Sequence, residues 1–359
     1  MSQHTKRTLR TIDDLVAAGL VPPRQAAALE PVAARYQVAL TPQVAGLIDA
    51  SDPNDPIARQ YIPSLAELRR TPDEREDPIG DDVHTPLKGI VHRYPDRVLL
   101  KPLLVCPVYC RFCFRREMLG SDGALSDAEL DAALDYIRVH EAIWEVILTG
   151  GDPLILSPRR LRMIVAALDA IPHVQVIRLH SRVPVADPER ITAALLRALE
   201  TDKALYVAVH CNHPRELNDA ARAACLGLTR AGIPLLGQSV LLKGVNDDAA
   251  TLEALFRAMV AARIKPYYLH HGDLAPGTKH FRTSIETGRG LMRKLRGRLS
   301  GLAQPTFVVD IPGGHGKVPV GPEFLSFGPG DAIVLTDPKG KRHRYEAASK
   351  RRVAPRGPT

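Results

Sequence analysis

The stretch Val98-Leu-Leu-Lys-Pro-Leu-Leu-Val105-Cys106-Pro-Val-Tyr-Cys110-Arg-Phe-Cys113-Phe-Arg115-Arg116 sets a largely apolar run directly before three cysteines, and Arg115 and Arg116 follow the last of them. Three thiolates on one short loop can ligate three irons of a cubane cluster and leave the fourth iron without a protein ligand. An open iron can bind a small molecule, and iron–sulfur clusters acting with S-adenosylmethionine are a source of radical chemistry. The competing readings are three unrelated thiols or a partial zinc site. Zinc sites use paired CxxC units or histidines at set offsets, and no second pair follows here.

Outward from this loop, apolar and β-branched runs alternate with helical patterns. The runs cover residues 98–105, 146–148, 174–179, 205–210, 235–242 and 264–270, and a further strand-like run at 306–310 closes the series. Helices are expected between them, among others at 127–140, 158–170 and 187–200. Continuous hydrophobic strands separated by helices indicate parallel β/α units buried on both faces. The fold class is α/β, a partial (β/α)6-type, TIM-like barrel. Active residues of such barrels collect on loops after the strands, which is where the cysteines fall. Before the barrel, residues 12–20 and 23–36 read as helices, and the Pro-rich, acidic residues 71–86 as a linker. The expected division is 1–85 for the helical region and linker, 86–304 for the barrel, 305–338 for a C-terminal strand and lysine loop, and 339–359 for a basic tail.

Composition fits a soluble enzyme of a reducing, cytoplasmic setting. Hydrophobic content of 45% is ordinary for a globular core. The five cysteines, three of them clustered, do not read as a disulfide framework. No apolar run reaches membrane-spanning length, and the first residues lack a secretory apolar segment. The net charge of +8 invites a nucleic-acid reading. Residues 339–359, however, carry nearly all of it, with eight Lys or Arg and the single acid Glu346, so the body is close to neutral. Aromatic content of 5% leaves few stacking platforms for bases. A solvated basic end is the better reading, with its last ten residues expected to be mobile.

Other strand ends carry polar groups. Thr149-Gly150-Gly151-Asp152-Pro153 follows the second run, and its glycines let backbone approach a ligand closely. His180-Ser181 ends the third run and Gln238-Ser239 lies in the fifth; each is either a cofactor contact or a satisfied polar group within the barrel. Near the C-terminus, Asp310-Ile-Pro-Gly313-Gly314-His315-Gly316-Lys317 is not a Walker loop, because Ile311 and Val318 replace its first glycine and its Ser/Thr. A lysine on such a loop can form an imine with an aldehyde cofactor when its amine is partly neutral.

The cysteine spacing resembles that of radical S-adenosylmethionine enzymes, whose open iron chelates that cofactor. The Gly150-Gly151-Asp152 loop resembles the glycine-rich loop with which they hold the methionine amino group. Several motifs together resemble one branch, the lysine 2,3-aminomutase family, over about residues 42–334. They are Asp52-Pro-Asn-Asp-Pro56, His92-Arg-Tyr-Pro-Asp-Arg97, the cysteine loop, His213-Pro-Arg-Glu216, Gln238-Ser-Val-Leu-Leu242, His280-Phe-Arg-Thr283 and the Gly-Gly-His-Gly-Lys loop. The resemblance implies a [4Fe–4S] cluster on Cys106, Cys110 and Cys113, with S-adenosylmethionine contacted by Gly150, Gly151, Asp152, His180, Ser181 and Gln238. It also implies pyridoxal phosphate joined to Lys317 and resting on Arg93, Tyr94 and Arg97. Forked guanidinium donors suit a phosphate dianion. Arg115 matches the arginine for the substrate carboxylate, and Asp273 and Asp310 match two acids for the distal ammonium of lysine. Two carboxylates facing one cation are selective, because without it they repel and one tends to protonate.

The implied activity is migration of the α-amino group of L-lysine to C3, giving β-lysine, with electrons from a flavodoxin or ferredoxin. A relative acting on another amino acid, or on lysine destined for elongation factor P, is the neighbouring reading. A non-catalytic, nucleic-acid-associated protein is the reading from another class. The family's long form carries a cysteine zinc site, whereas here no cysteine follows Cys225 and Asn246-Asp247-Asp248 occupies the loop position. Zinc and a homo-oligomeric arrangement stay open at this point.

Overall fold

The computed structural model describes residues 7–120, 123–329 and 332–345. Nine strands form one sheet in strictly sequential order: β1 (Ile90–Tyr94), β2 (Arg97–Leu103), β3 (Glu145–Gly150), β4 (Val176–Ser181), β5 (Ala204–His210), β6 (Leu235–Val240), β7 (Ile264–His270), β8 (Thr306–Asp310) and β9 (Lys317–Pro319). Strands β2 to β8 are parallel, while β1 and β9 run antiparallel at the two edges. No pairing joins β1 to β9 among the described residues, so the sheet curls into a partial barrel. Each of the six parallel crossovers contains helix, and the six units with a closing strand match the expected (β/α)6 architecture.

Local chemistry explains where the helices begin. Ser126 accepts from the Glu129 amide while the Glu129 carboxylate takes the Ser126 amide, a capping box that starts helix Asp127–Val139. Ser157 caps helix Pro158–Asp169, Asn218 caps Asp219–Arg230, Asp248 caps Ala249–Ala261 and Ser284 caps Ile285–Leu295. The buried faces of these helices meet strands that are themselves buried, such as Val146, Ile147 and Leu148 of β3. That double coverage gives strand sequences without polar alternation.

Four readings change. Residues 187–200 are not one helix: a 3₁₀ turn at Pro188–Arg190 precedes a short helix Ala193–Ala198 that Thr192 caps. Pro188 and the competing Thr192 hydroxyl both favour a fresh start over continuation. The edge strands β1 and β9 were not foreseen, because each is short and mixed in polarity. Residues 71–86 are no free linker. Arg75 N donates to Leu274 O at 2.8 Å, the Glu74 carboxylate takes the Gly277 amide at 3.0 Å, and Arg282 pairs with both Asp73 and Glu74. The segment is a strap bound across the barrel mouth. Finally, β10 (Leu325–Phe327), β11 (Ile333–Thr336) and β12 (Arg342–Tyr345) form a separate antiparallel sheet, so the first part of the basic tail is paired structure. The expected mobility of the last ten residues concerns 350–359, outside the described residues. Among the described residues, no helix is long and apolar enough to cross a membrane.

Candidate active site

The loop after β2 brings Cys106, Cys110 and Cys113 together, and the N-terminal region fixes it from behind. Ser64 caps a turn, Leu65–Leu68, that delivers the fully buried Glu67. Its carboxylate takes both Arg111 Nε (3.1 Å) and Arg111 Nη2 (2.6 Å) and also pairs with Arg116. Backbone bonds Tyr109 N to Ala39 O and Arg111 N to Gln60 O complete the clamp. Burial raises all three thiols, Cys110 up to about 11. A coordinating metal overrides such a shift by deprotonating the thiol outright. No group of three His, Cys, Asp or Glu among the described residues converges on one metal ion. A cubane takes each thiolate at a different iron, so three mutually interacting thiols on one loop suit a cluster. In the loop after β6, fully buried Asn246 donates to Asn212 O and Val240 O and accepts the Leu242 amide.

The glycine loop after β3 packs on the cysteine loop. A Cβ on Gly151 would sit 2.2 Å from Val105 O, and Gly151 N and Asp152 N donate to Leu103 O and Val105 O. The Asp152 carboxylate is engaged by the amides of Leu154, Arg182 and Val183. Ser181 Oγ likewise takes the Val183 amide. Asp152 thereby joins the ends of β3 and β4, while the Ser181 bond closes its own turn. His180, by contrast, has a buried Nε2 with no partner and lies 5.7 Å from the His210 ring. Burial first, and then the Arg178 charge, hold His180 well below its ordinary value; burial with Arg182 lowers His210 to about 3. Gln238 is buried in β6, in register between His210 and Tyr268.

The C-terminal hairpin builds the opposite wall. Asp310 and Lys317 are direct partners across β8 and β9, and Ile311 N to Gly316 O (2.8 Å) closes the glycine turn between them. Gly316 has φ of 92°, with Tyr94 Oη at 3.0 Å from where a Cβ would stand, so a side chain is excluded by backbone and space together. Tyr94 Oη accepts the Lys317 amide at 2.8 Å. Lys317 Nζ pairs with Asp310 Oδ2 and lies 3.2 Å from His270 Nδ1. Against the raising effect of burial, the Lys317 ammonium holds Asp310 well below the usual carboxylate range. Burial, and then the charge on Asp310, push Asp273 up to about 7. Asp310 thus takes the Lys317 ammonium, and the neutral form of Asp273 is favoured beside it.

Beside this wall is a cationic group. Asp81, from the strap, bridges Arg93 (3.0 Å) and Arg115 (2.9 Å), and Arg93 reaches Asp310 at 3.9 Å. Lys101, a buried lysine on β2, adds a third positive charge; burial and then Arg115 lower its pKa. Arg93 Nε is buried without a partner. Three cations around one bridging carboxylate suit an incoming phosphate or carboxylate. Arg97 stacks 3.8 Å over the ring of Tyr94 and pairs with Asp96. The fold therefore gathers Lys317, Asp310, Asp273, Tyr94, Arg93 and Arg115, while Asp152 and Ser181 are spent on backbone. Sequence reasoning missed Asp81, Lys101 and His270. Lys101 was findable as the one charge inside the apolar run 98–105; Asp81 was hidden in an acidic stretch.

Residues 100–255 match the Radical SAM superfamily, which implies a [4Fe–4S] cluster and S-adenosylmethionine. The class is thereby a radical enzyme of the partial-barrel type. Residues 292–350 match Lysine-2,3-aminomutase. L-lysine 2,3-aminomutase of Clostridium subterminale is 43% identical over 85% of this chain and 73% of its own. The protein of that name from Acetoanaerobium sticklandii is 39% identical over 95% of this chain and 83% of its own. Glutamate 2,3-aminomutase of Clostridioides difficile is 38% identical over 89% of this chain and 75% of its own. The chain belongs to the lysine 2,3-aminomutase family of radical S-adenosylmethionine enzymes, and it is an isomerase acting on an amino acid.

Proposed function

We propose that this enzyme converts L-lysine to β-lysine, with Cys106, Cys110 and Cys113 each holding one iron of the cluster and Lys317 holding pyridoxal phosphate. The residues suit these groups: three clustered thiols for the irons, an amine on a closed hairpin for an aldehyde, and an orphaned guanidinium nitrogen for a phosphate. When bound, the cluster with S-adenosylmethionine supplies a hydrogen-abstracting radical, and pyridoxal phosphate supplies the carbonyl that carries the migrating nitrogen. An external iron–sulfur or flavin protein delivers the electron.

The chain's own residues then bind and orient. Arg93, Tyr94 and Arg97 meet the cofactor's phosphate and ring, Arg115 takes the substrate carboxylate, and Asp273 with Asp310 take the distal ammonium. The strap across the mouth excludes water from the reacting centre.

One observation carries the choice of lysine, namely that Asp273, buried beside Asp310, has no ion-pair partner within 4 Å among the described residues, while Asp310 has Lys317 and, at 3.9 Å, Arg93. A second ammonium allows both acids to ionise, whereas the side chain of glutamate adds a third carboxylate. Burying that unpaired charge costs several kcal/mol, on the order of 3–5. The test is anaerobic turnover of lysine, ornithine, arginine and glutamate by the reconstituted enzyme, with products separated by chromatography. Lysine should be the preferred substrate; glutamate turnover at a comparable kcat/KM overturns the reading.

A further inference from the structure

His270 ends β7 between the two walls of the pocket, and nothing above gives it a task. Its side chain is 19% exposed and its ring is fixed on several sides. The Tyr268 ring meets it edge-on at 5.6 Å, and the strand places it in register between Val240 and Val308. Nδ1 lies 3.2 Å from Lys317 Nζ and 3.8 Å from Asp310 Oδ2. Nε2, at the far side of the ring, is buried and has no hydrogen-bond partner.

These contacts fix the tautomer. Lys317, paired with Asp310, presents only N–H donors at 3.2 Å, while the Asp310 carboxylate, at 3.8 Å, is beyond hydrogen-bonding distance, so Nδ1 accepts. A neutral imidazole has one proton, which then sits on Nε2. Burial, and then the Lys317 charge, lower the His270 pKa, in keeping with a neutral ring. The result is a buried N–H donor without an acceptor, beside the nitrogen where a carbonyl compound condenses. A buried donor is costly to leave unmade and is retained where a ligand satisfies it. His180 has a similar orphan nitrogen, but no contact there decides its tautomer.

We propose that His270 is a two-sided positioning residue: its Nδ1 holds the Lys317 nitrogen, and its Nε2–H donates to an anionic oxygen of the ligand bound at Lys317. The inference rests on the assignment of Lys317 as the cofactor lysine. The anionic oxygen has two sources, pyridoxal phosphate itself or the carboxylate of the amino acid.

Two variants separate the two sides of the ring. His270→Asn keeps a polar group near Nδ1 and cannot reach the Nε2 position; His270→Gln places its amide at Nε2. Pyridoxal phosphate is titrated into the full-length, cluster-loaded proteins and followed by visible absorbance, and lysine is then added to the saturated proteins. If the cofactor is the acceptor, His270→Asn weakens cofactor binding by about tenfold and His270→Gln restores it to within about threefold. If the substrate carboxylate is the acceptor, cofactor binding is unchanged and the lysine-induced spectral change needs about tenfold more lysine in His270→Asn, again with recovery in His270→Gln. Thermal melting confirms that each variant is folded. Equal affinities of wild type and both variants for both ligands overturn the proposal. A measurement without cofactor decides independently: nitrogen NMR of isotope-labelled histidine in the apoprotein should show His270 neutral with its proton on Nε2. A proton on Nδ1 overturns the proposal as well. Should the wild type bind no pyridoxal phosphate, the assignment of Lys317 fails, and the NMR result alone judges His270.

Discussion

The cysteine loop and the Lys317 pocket both bury charge, and they do so in opposite ways. Behind the cysteines, Glu67 satisfies Arg111 and Arg116, and Glu216 satisfies Arg182 with Tyr61 as a further partner. Each buried acid there has its cation. In the pocket, Asp310 has Lys317 with Arg93 at 3.9 Å, Asp273 has no ion-pair partner within 4 Å among the described residues, and three cations surround Asp81. Matched buried charge fixes a loop in one geometry, and mismatched buried charge is relieved when a ligand supplies the missing partner. The first arrangement belongs to architecture and the second to recognition.

The harshest way to break this contrast is at the cluster itself. The Cys106, Cys110 and Cys113 triple Ala variant should lose its iron and sulfide entirely on anaerobic reconstitution. Retention of a full cluster would refute the assignment. On the pocket side, Lys317→Ala should abolish the visible absorbance of bound cofactor and cut turnover by at least roughly a thousandfold, as expected for removal of a covalent group.

Stability sharpens the comparison. Glu67→Gln leaves two buried arginines short of their counter-charge and should destabilise the protein by about 3–5 kcal/mol in denaturant unfolding. Asp273→Asn should be neutral or stabilising in the same experiment, since it removes an acid that burial already disfavours. Its cost should appear as an increase of about tenfold or more in the KM for lysine. Equal destabilisation by the two substitutions would erase the proposed difference between the regions.

The pH dependence follows from Asp273, raised in the folded protein from 3.8 to about 7. Its neutral form is favoured by folding, so this contribution is fully present below the unfolded value and disappears as pH rises through about 7. Melting of the ligand-free protein should therefore decline from weakly acidic to neutral pH, and Asp273→Asn should flatten that decline. The smallest effect is expected outside both regions. Truncation after Ala348 should change lysine turnover by less than tenfold, about 1.4 kcal/mol, in a steady-state anaerobic assay.

Much of the barrel was legible because several of its strands are buried on both faces: the run 146–148 has no polar alternation to confuse its reading, and β3 lies there. The three cysteines were legible as a group because they lie close together along one loop. Helix 187–200 was misread because Pro188 and Thr192 compete with propensity at short range. The strap at 71–86 looked like a linker because its contacts to Leu274, Gly277 and Arg282 lie some 200 residues away.

By itself, then, the amino-acid order determined the elements whose causes are local: the alternating strands and helices, the cysteine loop, the capped helix starts and the glycine turn before Lys317. Only the tertiary structure decided which charges meet. Register across the β8–β9 hairpin set Lys317 against Asp310, and the end of β7 brought His270 to both. The strap carried Asp81 to Arg93 and Arg115. The physical reason is that electrostatic partnership depends on distance and burial in space, which residue spacing does not encode when the partners come from different strands.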